Sequence, residues 1–170
     1  MVRSKLRIIA VVGAFTIALF TAGAVTAAPA SARPPTTPPQ AFGWVHNGAS
    51  PRCLDSGIPA NAQLWNCSGS TYQNWTLGYY GQLFGNSPAG CLDDGAGTNG
   101  SGAYLTTCNG SSHQTWIQGA NGTLVNAGSG RCLDADAGTI GQQGTRVQVW
   151  DCDGWAGQRW TFQYYEGIDF

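Results

Sequence analysis

Val147 and Val149 alternate with Gln148 and Trp150, and Ala62 and Leu64 alternate with Gln63 and Trp65. Strand side chains point to opposite faces with period two, so each stretch predicts a strand whose aliphatic face turns inward. Trp65 and Trp150 then face outward with Gln63 and Gln148, and an outward Trp is costly surface unless it contacts something. Each strand runs into a cysteine, Cys67 or Cys152, and after five further residues comes Gln-x-Trp. That phrase occurs three times, ending at Trp75, Trp116 and Trp160, with a period of 41 and then 44 residues. Cys-Leu-Asp stands ahead of each copy, at Cys53-Leu54-Asp55, Cys91-Leu92-Asp93 and Cys132-Leu133-Asp134. A period of this length marks a repeat architecture.

Aligning on the cysteines carries the repeat backwards to Gly43-Trp44-Val45, Gly81-Gln82-Leu83 and Gly122-Thr123-Leu124. Each unit reads as four short strands, in the last unit about 123–127, 131–134, 146–151 and 158–163. The turn chemistry between strands is dense: Asn47-Gly48, Ser87-Pro88, Asn109-Gly110, Asn121-Gly122 and Asp153-Gly154. Nothing after the first 32 residues carries a helical period over ten residues, so the expected fold is all-β and threefold repeated. Trp75, Trp116 and Trp160 recur in every unit with Leu54, Leu92, Leu133 and Val45, Leu83, Leu124. A shared core explains such regularity more economically than three binding sites. Gln73, Gln114 and Gln158 become buried amides bonded to nearby backbone or to the Cys-Leu-Asp carboxylate.

Composition changes the picture at the front of the chain. Arg3, Lys5 and Arg7 precede a charge-free apolar run from Ile8 to Val25, and small-residue sites follow at 28–32. Residues 1–32 therefore predict a cleaved secretory signal, and the Pro/Thr-rich 33–40 a spacer of extended geometry. Without the leader, 5 Arg stand against 9 acids, so no basic patch exists to neutralise nucleic acid phosphates. No membrane contact is expected after cleavage, and the folded part is residues 41–170, with units of about 41–78, 79–119 and 120–165. Six cysteines in an exported chain predict three disulfides. Equivalent units pair within themselves, giving Cys53–Cys67, Cys91–Cys108 and Cys132–Cys152. No Cys-x-x-Cys pair is present to suggest zinc.

The threefold order of Cys-Leu-Asp, an alternating strand ending in Cys, and Gln-x-Trp resembles the ricin B-chain-like lectins, also classed as family-thirteen carbohydrate-binding modules. The resemblance covers residues 41–165. It implies a β-trefoil of about twelve strands, six closing a barrel and six capping it, with shallow sugar pockets for galactose- or xylan-type glycans. The family's pocket uses the Asp of Cys-Leu-Asp, the aromatic of the third strand and the Gln two before it. Carried over, these are Asp55, Gln63 and Trp65 in the first unit and Asp134, Gln148 and Trp150 in the third. In the second unit Asp93 remains, but Tyr104 and Thr106 replace the amide and the aromatic, so a weak or dead pocket is implied. The family's usual Asn before Gln-x-Trp is replaced by Tyr72, His113 and Gly157. The first unit is short, so its pocket is expected to lack a wall; Trp155 is placed to supply a second sugar contact in the third.

A carboxylate accepts hydrogen bonds from neighbouring hydroxyls, and an aromatic face offers apolar contact to a pyranose. Catalysis is not expected, because no nucleophile–base pair or cleft with paired carboxylates can be assembled. No cofactor is expected either. The chain reads as a free-standing, secreted, monomeric binder of polysaccharide or glycoconjugate. The alternative is an interaction protein of the protease-inhibiting trefoil kind, with little or no sugar binding.

Overall fold

A computed structural model describes residues 41–57 and 59–164. The signal and spacer segments expected over 1–40 lie outside the described residues. Among the described residues, thirteen strands run in order β1 (Ala41–Asn47), β2 (Arg52–Asp55), β3 (Gln63–Asn66), β4 (Trp75–Leu77), β5 (Leu83–Asn86), β6 (Ala89–Asp93), β7 (Ser101–Gly102), β8 (Tyr104–Thr106), β9 (Trp116–Gln118), β10 (Leu124–Asn126), β11 (Cys132–Ala135), β12 (Thr145–Trp150) and β13 (Trp160–Tyr164). Four strands per unit give twelve. The thirteenth arises because the third strand of the second unit is split at Ala103 into β7 and β8.

Every described pairing is antiparallel. The outer strands of the units make the barrel: β1 pairs with β4, β4 with β5 and β9 with β10. The last strand returns to the first, with Gly43 opposite Tyr164 and Asn47 opposite Trp160. The inner strands form the capping hairpins β2–β3, β6–β8 and β11–β12.

The core is the repeat itself. Among the described residues its buried cluster consists of Val45, Leu83 and Leu124; Leu54, Leu92 and Leu133; Ala62, Ala103 and Val147; Leu64, Leu105 and Val149; the three tryptophans Trp75, Trp116 and Trp160; and Ala135, with Ala60, Leu77, Ile140 and Phe162 packed against it. Five positions used three times fill the interior. Each core Trp also donates its indole N–H to a buried carbonyl, Trp75 to Leu54 O (2.8 Å), Trp116 to Leu92 O (2.9 Å) and Trp160 to Leu133 O (2.9 Å). A buried indole N–H needs such an acceptor.

Gly81 and Gly122 show why the unit begins with glycine. Both have positive φ, 83° and 78°. A Cβ would lie 2.8 Å from Trp116 O in one case and 2.7 Å from Trp160 O in the other. Neither a left-handed backbone nor that close approach suits a larger residue.

The disulfides Cys53–Cys67, Cys91–Cys108 and Cys132–Cys152 close loops with separations of 14, 17 and 20 residues. Loops of this size contribute about 3 kcal/mol each in the chain-entropy model. Units are also laced to one another. The Asn47 amide donates to Gly157 O of the third unit (2.8 Å), and Asn126 donates to His113 O of the second (2.7 Å).

Trp116→Ala should cost about 3–5 kcal/mol, because it opens a core cavity and strands the Leu92 carbonyl. Urea unfolding measures this directly; a loss below about 1 kcal/mol would contradict the core assignment. Strong reductant should lower the melting temperature, and an unchanged transition would contradict a stabilising role for the disulfides.

Candidate functional site

The hairpin register decides which side chains meet on the outer face. In the first unit Cys53 stands opposite Trp65 and Asp55 opposite Gln63. The third repeats this with Cys132 opposite Trp150 and Asp134 opposite Gln148. In the second, Cys91 faces Thr106 and Asp93 faces Tyr104. Residues directly opposite on antiparallel strands share a face. One disulfide-anchored corner of each hairpin therefore presents an Asp, the residue facing it, and whatever stands in the Trp position.

Trp65 and Trp150 are outward, 41% and 42% exposed. The amides are more withdrawn than simple alternation suggests. Gln63 is half-buried, and Gln148 is only 4% exposed. The reason is the carboxylate beneath them: Gln63 Nε2 donates to Asp55 Oδ1 (3.3 Å) and Gln148 Nε2 to Asp134 Oδ1 (3.0 Å). The Arg146 guanidinium in turn donates to Gln148 Oε1.

Each carboxylate is buried and anchored. Asp55 accepts from the Gly57 N–H (2.8 Å) and from Gln73 Nε2 (3.2 Å). Asp93 accepts from the Gly95 N–H (2.9 Å) and from Gln114 Nε2 (3.2 Å). Asp134 differs, because its second oxygen accepts from the Trp155 indole N–H (2.7 Å).

The outward tryptophans lean on the neighbouring unit. A Cβ on Gly144, in the loop before β12, would lie 3.5 Å from Trp65 Cζ3, and one on Gly100, before β7, would lie 3.5 Å from Trp150 Cζ3. The loop holding Gly100 is tied down by Asn99, which donates to Asp151 Oδ2 (2.8 Å) and accepts from Arg131 Nε (2.7 Å). Each platform thus takes its edge support from the preceding repeat. The first unit's short loop is accordingly accompanied by a Trp65 edge that meets the third unit's chain.

One open pocket of about 210 Å³ gathers Asp134, Gln148 and Trp150 with Trp155, Asp136, Ala137 and Asp153. Asp136 and Asp153 are pocket residues that the sequence did not predict, Asp153 being visible there only as part of a turn. Their available signals were position alone, two residues after Asp134 and one after Cys152. In the second unit the half-exposed His113 is hydrogen-bonded to Asp94, Nδ1 to Oδ1 at 2.7 Å, and Asp94 is fully buried. With Thr106 in place of a platform, that corner is committed to an internal contact.

A family model for the ricin-type beta-trefoil lectin domain matches residues 41–160. The chain belongs to that family. Among solved structures, this lectin domain is similar to a designed threefold-symmetric protein, ThreeFoil, at 22% identity and a TM-score of 0.63, covering 70% of this chain and 95% of that one. It is similar to the agglutinin from Abrus precatorius at 22% identity and a TM-score of 0.64, covering 72% of this chain and 48% of the agglutinin chain. The C-terminal half of an earthworm R-type lectin, solved in complex with GalNAc, matches at 13% identity and a TM-score of 0.60, covering 74% and 99%. At these identities the likeness is one of fold. Comparison with curated proteins finds no match.

The two classes of tryptophan should separate by stability. Trp150→Ala or Trp65→Ala removes a half-exposed side chain and should cost no more than about 1 kcal/mol, against the several lost at a buried Trp. Chemical denaturation of Trp150→Ala beside Trp160→Ala reads the contrast, and equal losses would show that Trp150 is structural.

Proposed function

We propose that the protein is a secreted, non-catalytic carbohydrate-binding protein that recognises galactose- or xylan-type glycans through its third and first units. The observation that carries this reading is the convergence of Asp134, Gln148, Trp150 and Trp155 on one open pocket. A carboxylate and an amide offer acceptors and donors to vicinal hydroxyls, and an exposed indole offers the apolar face of a pyranose its partner. Asp55, Gln63 and Trp65 repeat the set in the first unit. Membership of the lectin family and the GalNAc bound to the earthworm relative favour the same ligand class.

Export is supported by the leader-like residues 1–32, the spacer at 33–40 and three disulfides, which persist in oxidising compartments. We assign a monomer whose work is to bring two weak sites to one polymer. Each shallow pocket should hold a monosaccharide with a dissociation constant on the order of mM. Two such pockets on one rigid scaffold gain avidity on a chain long enough to reach both.

Isothermal titration with lactose, xylohexaose and soluble galactan or xylan tests this. Polymer should bind at least about tenfold more tightly than its monomer, and Asp134→Ala with Trp150→Ala should remove the stronger site. Equal affinity for monomer and polymer would count against two working sites. A folded protein that binds none of these glycans, nor any member of a broad glycan array, would overturn the proposal.

A further inference from the structure

Tyr72 and His113 carry side chains at the position before Gln-x-Trp, whereas the third unit has Gly157 there. That space is filled. A Cβ on Gly157 would lie 1.9 Å from Trp155 Cζ2, 2.4 Å from Cε2 and 2.5 Å from Cη2. The indole of Trp155 occupies the volume a side chain at 157 would need.

The same indole has displaced a second partner. In the first two units one Asp oxygen accepts from the Gln-x-Trp amide, Gln73 or Gln114, at 3.2 Å. In the third that role falls to Trp155, whose N–H reaches Asp134 Oδ2 at 2.7 Å. Gln158 keeps only the two backbone contacts its counterparts also make: it donates to Asp151 O (3.0 Å) and accepts from the Asp153 N–H (3.1 Å), as Gln73 does with Asn66 O and the Ser68 N–H and Gln114 with Thr107 O and the Asn109 N–H. The Trp155 backbone is held as well, its N–H donating to Asp153 Oδ1 at 3.0 Å. Trp155 and Trp150 both line the pocket.

We propose that Trp155 is the specificity-determining residue of the third pocket. Its N–H orients the Asp134 carboxylate, its ring adds a second aromatic surface, and Gly157 is the vacancy that admits it. The ligand-facing part of this inference rests on the carbohydrate reading; the Trp155–Asp134 contact stands without it. A side chain at 157 should expel the indole. Gly157→Asn, although it introduces a hydrogen-bonding residue, should therefore damage the site.

Two arms test this separately. Without ligand, the Trp155 indole resonance in a ¹H–¹⁵N spectrum should be protected from exchange and should move in both Asp134→Ala and Gly157→Asn. With ligand, titrations of lactose and xylohexaose run in an Asp55→Ala background that isolates the third pocket. Gly157→Asn should weaken binding by at least about tenfold, as expected for losing a hydrogen bond to a charged group. Trp155→Ala combined with Gly157→Asn should bind no worse than Trp155→Ala alone, because the space is then free. An indole resonance unmoved in both variants would overturn the proposal, as would full-strength binding by Gly157→Asn. If neither sugar binds the parent protein, the carbohydrate reading fails and the resonance arm still decides the contact.

Discussion

Three hydrogen bonds hold the molecule to its design: the indole N–H of Trp75, Trp116 and Trp160 to the carbonyls of Leu54, Leu92 and Leu133. Each donor begins the last strand of its unit, and each acceptor sits at the centre of Cys-Leu-Asp. The bond therefore ties barrel to cap within every unit while filling the core. Left unmade, a buried group of this kind costs about 1–3 kcal/mol, so the geometry tolerates little drift. Once the Leu carbonyl is fixed, the next residue is fixed with it, and that residue is the pocket Asp. Position of the site follows from closure of the core.

Threefold repetition in the core coexists with three different surfaces. The interior reuses five positions with nearly the same residue types, because all three units share one close-packed volume. The outer corners have no common packed volume to hold them alike, and they differ. Asp93 keeps its anchors but faces Tyr104, and neighbouring His113 is drawn to the buried Asp94. Asp55 retains its amide and its Trp, with the edge of that Trp set against the third unit's loop at Gly144. Asp134 has gained a second indole.

The fold was legible because its signals are local and repeated. Alternation in 62–65 and 147–150, the cysteine spacing and Gln-x-Trp together imply the hairpins, the registers and the interior. The residues that shape the third pocket were harder to read. Burial of Gln148 depends on a carboxylate across the hairpin, which alternation does not reveal. Asp136 and Asp153 enter the pocket through loop paths with no periodic signature. Gly157 reads in sequence as the loss of a polar residue, yet in three dimensions it makes room for Trp155. The family resemblance named the candidates, and only packing showed how Gly157 and Trp155 depend on each other.

Six of the seven tryptophans fall into two groups: Trp75, Trp116 and Trp160 build the core, whereas Trp65, Trp150 and Trp155 are the ones proposed to meet the ligand. A ¹H–¹⁵N titration of the indole resonances with xylohexaose and with a galactose-terminated oligosaccharide reads both groups at once. Saturable shifts are expected for Trp150 and Trp155, smaller ones for Trp65, and still resonances for the three core tryptophans. Shifts confined to the core tryptophans, or none at Trp150 and Trp155 while sugar is bound elsewhere, would contradict this assignment.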